Sequence, residues 1–199
     1  MRIKMEELVF EVPDNVYEPS DDSFLLVKYS KGLKGKVLDM GCGCGIQAIV
    51  NAKKNPKNRV LGIVINRAAV ACAAYNASLN KIKNTSFVLS NLFENVPEEQ
   101  FDGIIFNPPY LPTAKHERIS SGLNHAFDGG KDGRFVINRF LPDFDKYLSE
   151  DGTLLLMQSS LNDVDKTMAA LEKKEFVVSI RDRIEFFFEK LYVLEGKRL

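Results

Sequence analysis

Lys36-Val37-Leu38-Asp39-Met40 runs directly into Gly41-Cys42-Gly43-Cys44-Gly45, and the helix-like stretch Ile46 to Lys54 follows. A short apolar run, a glycine cluster and a helical period read together as strand, tight turn and helix. Glycines let the chain turn sharply and let a ligand approach with no Cβ in the way. The helix that follows offers unpaired N–H groups to an anionic group. A dinucleotide fingerprint needs glycine at position 46, which is Ile46, so the Gly-x-Gly-x-x-Gly pattern fails. The spacing instead suits a cofactor that joins a nucleoside to an amino acid.

Working outward, the periods of two and of 3.6 alternate along the chain. Ser20-Asp21-Asp22-Ser23 is a helix start, with a capping hydroxyl and carboxylates in the first turn. Phe24 to Val27 continues that helix and Gly32 stops it. Strands are predicted at 36–40, 59–65, 85–89, 101–106, 153–157, 176–180 and 186–194, and helices at 46–54, 68–79, 133–148 and 164–173. The expected fold is α/β: one domain over 1–199 with a seven-stranded, mostly parallel sheet, one antiparallel strand and helices on both faces. The stretch from Leu111 to Lys131 has no clear period, and a loop of that length in a compact domain is usually functional or mobile.

Asn107-Pro108-Pro109-Tyr110 follows the strand predicted at 101–106. In an open α/β sheet, ligands bind beyond the carboxyl ends of the strands, where the strand order reverses. The glycine loop and this tetrapeptide are therefore expected to rim one crevice. Pro108 holds Asn107 extended, and the fixed φ of proline stiffens the turn. Such a turn aims two carbonyl oxygens, the Asn107 side chain and a proline backbone, at one NH₂ group. Tyr110 adds a flat face for stacking.

Composition sets the outer bounds. The 199 residues are 45% hydrophobic, enough for a sizeable core, and Lys+Arg and Asp+Glu both number 27. Zero net charge offers no footprint for a phosphate backbone and argues against a dedicated nucleic-acid binder. No stretch approaches the roughly 20 apolar residues of a membrane span. Cys42, Cys44 and Cys72 read as free thiols in a reducing cytoplasm, without zinc-site spacing, so no metal is expected. His116 and His125 read as solvated loop histidines, and Phe186-Phe187-Phe188 as packing of the last strand. Lys28, Lys31, Lys34 and Lys36 read as a solvated face.

These motifs resemble the HemK-type glutamine-N5 methyltransferases, and in particular their short archaeal and eukaryotic branch. The resemblance rests on Val16-Tyr17-Glu18-Pro19-Ser20-Asp21-Asp22-Ser23, the glycine loop and Asn-Pro-Pro-Tyr. It extends to Asp128-Gly129-Gly130-Lys131-Asp132-Gly133-Arg134 and on to Asn138-Arg139-Phe140. It implies a Rossmann-like class I methyltransferase fold using S-adenosyl-L-methionine. The implied reaction methylates the side-chain amide of a glutamine, typically in a class-1 translation release factor; members of the branch also act on lysine. Attack on a sulfonium methyl needs alignment more than a strong base. The resemblance further implies a small zinc-ribbon-like activator protein in a heterodimer, paired at the sheet edge near the strand at 85–89. By position, Asn107, Pro108, Pro109 and Tyr110 form the catalytic loop. Glu18, Ser23, Asp39, Gly41, Gly43, Gly45, Val64, Asn91, Leu92 and Asn107 fall at the cofactor positions.

The chain departs from that pattern twice. Val64-Ile65-Asn66-Arg67 stands where the family has Asp-Ile-Asn-Pro, whose acid holds the ribose hydroxyls, and Asn91-Leu92 stands for Asp-Leu at the adenine amino group. Asn91 still offers an oxygen; Val64 offers nothing. Loss of a hydrogen bond to a charged group costs about 1.5–3 kcal/mol, which predicts a roughly ten- to more than a hundredfold loss in cofactor affinity. Two other functions compete: an N6-adenine nucleic-acid methyltransferase, since an exocyclic amine suits the same tetrapeptide, and a non-catalytic binding module. Duplex DNA would require base flipping and a target-recognition region, for which the chain has no room.

Overall fold

A computed structural model of the protein describes residues 1–112 and 128–199. The chain opens with an antiparallel hairpin, β1 (Arg2–Met5) and β2 (Leu8–Glu11), turning at Glu6 with φ 54°. Helix α1 (Asp21–Ser30) follows, then β3 (Lys36–Met40), α2 (Ile46–Lys54), β4 (Arg59–Val64), α3 (Arg67–Leu79), β5 (Thr85–Leu89) and β6 (Phe101–Phe106). After the Asn-Pro-Pro-Tyr loop come α4 (Phe135–Phe140), β7 (Leu148–Ser159), α5 (Val164–Glu172), β8 (Phe176–Glu185) and β9 (Lys190–Arg198).

Strands β3 to β9 form one sheet of seven in the order β5-β4-β3-β6-β7-β9-β8. All neighbours are parallel except β9, which runs antiparallel to both β7 and β8. The expected mostly parallel sheet with a single reversed strand is what forms. Apolar residues run almost unbroken along the central strands because both faces are covered. From β3, Leu38 and Met40 enter the core shared with Phe140, Phe144 and Leu171, while Val37 packs with Leu25, Leu26, Ala48 and Ala52 on the opposite face. The alternation places Asp39 on the α2 face, beneath that helix's first turn.

The strand order reverses between β3 and β6, whose Met40 and Phe106 lie side by side in register. The two loops singled out in the sequence therefore leave the sheet next to each other.

Three expectations need correction. The helix expected over 133–148 is only Phe135–Phe140, followed by a 3-10 turn at Phe144–Lys146 and then β7. Pro142 lacks the N–H a helix needs and its ring clashes with the turn before it. Ser20 occupies the N-cap of α1 without capping it; its hydroxyl faces the Asp22 carboxylate at 3.4 Å. Phe186-Phe187-Phe188 is the turn between β8 and β9, closed by Phe186 N–H donating to the Glu189 carbonyl, and Phe187 is 92% exposed. His116 and His125 lie outside the described residues, as does most of the expected long loop. All three cysteines are free and buried, and Lys28, Lys31 and Lys36 pair with surface carboxylates. Among the described residues, no helix is long and apolar enough to cross a membrane.

The N-terminal hairpin is held to the domain by asparagines on α3. Asn76 is fully buried; its amide oxygen accepts from Glu11 N–H at 2.9 Å and its nitrogen donates to the carbonyls of Glu11 and Cys44. Asn76→Ala leaves those groups without partners, and a buried unpaired group costs about 1–3 kcal/mol. Urea denaturation should register a loss of that size, with the hairpin amides exchanging fastest by NMR.

Candidate active site

The glycine loop takes its form from backbone that favours glycine: Gly41, Gly43 and Gly45 have φ of 70°, 52° and 87°. A Cβ on Gly43 would meet nothing nearer than the Gly41 carbonyl at 4.0 Å, so it would project into open space. Gly45 is a packing position, where a Cβ would come within 3.1 Å of Ala73 and Ile49. Below the loop, Asp39 is 2% exposed and its Oδ2 accepts the Ala48 N–H at 3.0 Å, capping α2 from the strand beneath. Burial pushes the Asp39 carboxyl up to about 7, against an ordinary 3.8, and that single N–H offsets only part of the effect.

A second buried carboxylate, which sequence reasoning passed over, organises the other side of the site. Asp22, in the first turn of α1, is 2% exposed. One oxygen accepts from the Ser23 N–H and hydroxyl. The other accepts from the Tyr110 hydroxyl at 3.1 Å and the Asn107 side-chain nitrogen at 3.0 Å, and Tyr17 donates to both. Desolvation and the Asp22 charge hold the Tyr110 hydroxyl far above its ordinary range and push Tyr17 up as well, so both remain protonated donors. An ionised carboxylate only accepts, so the nitrogen of Asn107 must face it and the oxygen must turn away. That oxygen, Asn107 Oδ1, is buried and has no partner.

The Asn-Pro-Pro-Tyr loop is braced from behind by the Asp128–Arg134 segment. Gly129 N–H donates to the Leu111 carbonyl at 3.0 Å, and Gly133, at φ 69°, lies so close to the Tyr110 carbonyl that a Cβ there would sit 2.3 Å from it. Asn162 reaches the same carbonyl at 3.3 Å, and the buried Arg134 guanidinium ties this corner to the carbonyls of Asn162 and Asp163.

The loops enclose a cavity of about 960 Å³. The structure brings Ser23, Asp39, Gly41, Gly43, Val64, Asn91, Leu92 and the whole Asn107–Tyr110 loop into its wall. It leaves Glu18 exposed and Gly45 packed behind the loop, both outside the wall. Asp22, Tyr17, Arg139 and Glu189 are wall residues the sequence reading did not assign. The signal for Asp22 was a carboxylate in a helix start that also belonged to a family motif. At the outer end of β4, Val64 supplies an apolar wall. Asn66 does not replace the missing acid, because its oxygen caps Ala68 N–H at 2.9 Å and its nitrogen donates to the Asn15 carbonyl. Asn91 donates to Glu94 and receives Arg139 at 3.3 Å.

A glycine loop and an Asn-Pro-Pro-Tyr loop meeting at the switch point of this sheet define the Rossmann-like class I methyltransferase fold. The chain belongs to the methyltransferase small-domain family, which it matches over residues 20–183. It is 44% identical over its full length to a Methanocaldococcus jannaschii protein provisionally named a protein N5-glutamine methyltransferase, all of which it covers. A release factor glutamine methyltransferase of Geobacter sulfurreducens is 32% identical over 75% of this chain, which spans 55% of that longer protein. Among solved structures, the Encephalitozoon cuniculi Mtq2–Trm112 complex that methylates the eRF1 termination factor superposes with a TM-score of 0.70. It covers 93% of this chain and 99% of that one at 24% identity, so it attests the fold.

The buried Asp39 has a consequence for stability. Folded, it keeps its proton to about pH 7; unfolded, it loses it near 3.8. The folded state binds more protons across that window, so this group's contribution falls as pH rises through it. At about 1.4 kcal/mol per tenfold change in proton affinity, the fall is on the order of 4 kcal/mol. Asp39→Asn retains an oxygen for Ala48 and should abolish that part of the decline. Denaturant curves at about pH 4 and about pH 8 should show the variant gaining on the parent at the higher pH.

Proposed function

We propose that this protein is an S-adenosylmethionine-dependent N-methyltransferase whose acceptor is the side-chain amide of a glutamine in a translation release factor. The observation that carries this reading is Asn107 Oδ1, a buried acceptor without a partner, on a residue that lines the cavity and whose amide nitrogen is turned to Asp22. A buried oxygen in that state fits an incoming N–H donor. The names of the relatives point to the same acceptor.

The residues present fit the cofactor at one end and miss one contact in the middle. The open space over Gly43 and the buried acid Asp39 suit its methionine portion, and Leu92 and Asn91, whose oxygen also receives Arg139, line the adenine end. At the ribose, Val64 offers no acceptor and Asn66 is engaged elsewhere. When bound, S-adenosylmethionine supplies an electrophilic methyl on a sulfonium. The protein holds the acceptor nitrogen. Asn107 Oδ1 and the Pro108 carbonyl accept its two N–H bonds, draw the nitrogen toward a pyramidal form and aim its lone pair. Tyr110 packs against the amide plane. Asp22 acts one step back, as a positioning residue: with its lone pairs filled by donors it serves as a fixed charge, and it sets which way the Asn107 amide points.

A small partner, in line with the two-protein Mtq2–Trm112 neighbour and placed by the family resemblance at the edge strand β5, and a cytoplasmic setting among translation factors belong to the same reading. The direct test is transfer of labelled methyl from S-adenosylmethionine to a recombinant class-1 release factor, with the product mapped by mass spectrometry. Methylation at a glutamine supports the reading. A protein that binds cofactor yet methylates no release factor, alone or with its partner, overturns it.

Two variants probe the parts separately. Val64→Asp restores the missing acceptor and should tighten S-adenosylhomocysteine binding roughly tenfold or more by calorimetry. Asp22→Asn presents a donor to Asn107, so the Asn107 amide turns over and points nitrogen at the acceptor. Methyl transfer should fall roughly a hundredfold, well beyond any change in cofactor affinity.

A further inference from the structure

The turn joining β8 to β9 breaks two rules at once. Turns favour glycine, proline, asparagine, aspartate and serine, yet this one is Phe186-Phe187-Phe188-Glu189. Large aromatics are costly to leave in water, yet Phe187 is 92% and Phe188 83% exposed, their rings meeting edge to face at 4.4 Å between centroids. Neither ring supports the fold. The turn is closed by its own backbone and anchored beside Ser160, whose hydroxyl accepts the Lys190 N–H at 3.0 Å.

Its position gives these side chains a use. Phe186 and Glu189 line the same cavity as Asn107 and Tyr110. Glu189 lies close enough to Tyr110 for its charge to help hold that hydroxyl protonated. Its Oε1 is buried without a hydrogen-bond partner, a second orphaned acceptor in the wall that faces the acceptor loop. Leu111 and Phe135, which line the same cavity, are also exposed, at 37% and 58%. The arrangement is an apolar rim with one unpaired carboxylate oxygen inside it.

We propose that the Phe186–Glu189 turn is the docking element for the polypeptide that carries the acceptor residue. An apolar side chain of that segment seats against Phe187 and Phe188, and an N–H of the segment donates to Glu189 Oε1. A nucleic acid would bring phosphates toward Glu189, an unfavourable meeting of like charges, so the geometry favours a protein segment. The inference rests on the protein-acceptor reading above and deepens it.

The test is steady-state methylation of the release factor at saturating S-adenosylmethionine, comparing the parent with a Phe187→Ser, Phe188→Ser double variant and with Glu189→Ala. For both variants KM for the protein acceptor should rise roughly tenfold or more; for the serine variant kcat should stay within about threefold and S-adenosylhomocysteine affinity should be unchanged by calorimetry. Phe187→Trp with Phe188→Trp, which keeps the apolar surface, should preserve the parent's KM. Unchanged KM in the serine variant, with the parent active, overturns the docking element and leaves the proposed function standing. A parent that binds cofactor but methylates no release factor overturns both.

Discussion

The site depends on one carboxylate taken out of water. Burying Asp22 is unfavourable unless donors replace its hydration, and the chain supplies them from three places: Tyr17 ahead of α1, Ser23 within it, and Asn107 and Tyr110 beyond β6. Each donor is thereby fixed relative to the others across 85 residues of sequence. Helix α1 cannot shift without unpairing Asn107, and the Asn107 amide cannot turn without confronting Asp22 with an acceptor. With its lone pairs filled by donors, the carboxylate is a fixed reference point for the residues around it. That suits an amide acceptor, whose reaction is limited by alignment more than by removal of a proton before attack.

The sheet supplies the coarse positioning that this network refines. Because the strand order reverses between β3 and β6, both loops emerge on adjacent strands at the same end. Register alone does not hold a proline turn in place from behind. Gly133 does so by lying against the Tyr110 carbonyl where any Cβ would collide, and Arg134 and Asn162 lock the corner with hydrogen bonds to carbonyls. The Asp128–Arg134 motif thus explains itself as a buttress: its glycines are there for close approach and positive φ, and its arginine is buried to bind backbone.

What could be read from the sequence follows from which signals are local. Strands β3, β5 and β6 and helix α2 match expectation residue for residue, because period, flanking glycine and caps are all encoded within a few positions. The helix expected to reach Leu148 failed at Pro142, a local signal overlooked in favour of periodicity. The N-terminal hairpin alternated as a strand should, yet its partner is the Asn76 and Asn80 pair on α3, more than sixty residues away. Asp22 reads only as a helix-start carboxylate for a related reason: two of its donors, Asn107 and Tyr110, are distant in sequence. The three phenylalanines were read as core because hydrophobicity predicts burial only one way; a tight turn exposes whatever residues it contains.

The ribose position remains the point of tension, and the geometry sharpens it. In the family pattern one acid serves the cofactor there, whereas here β4 ends in Val64, which packs against the core formed by the N-terminal hairpin and α3. Asn66 is spent on holding α3 to the chain at Asn15, so freeing it for a ribose would uncap the helix. The loss is therefore not repaired by the nearest polar neighbour. Meanwhile the acceptor side keeps both orphaned oxygens, the Asp22 network and its buttress. Leaving buried acceptors unpaired is destabilising in the absence of a donor, so a chain that had ceased to receive an N–H ligand would gain stability by losing them. These groups support the proposal that the departure at Val64 bears on how tightly the cofactor is held and not on the handling of the acceptor.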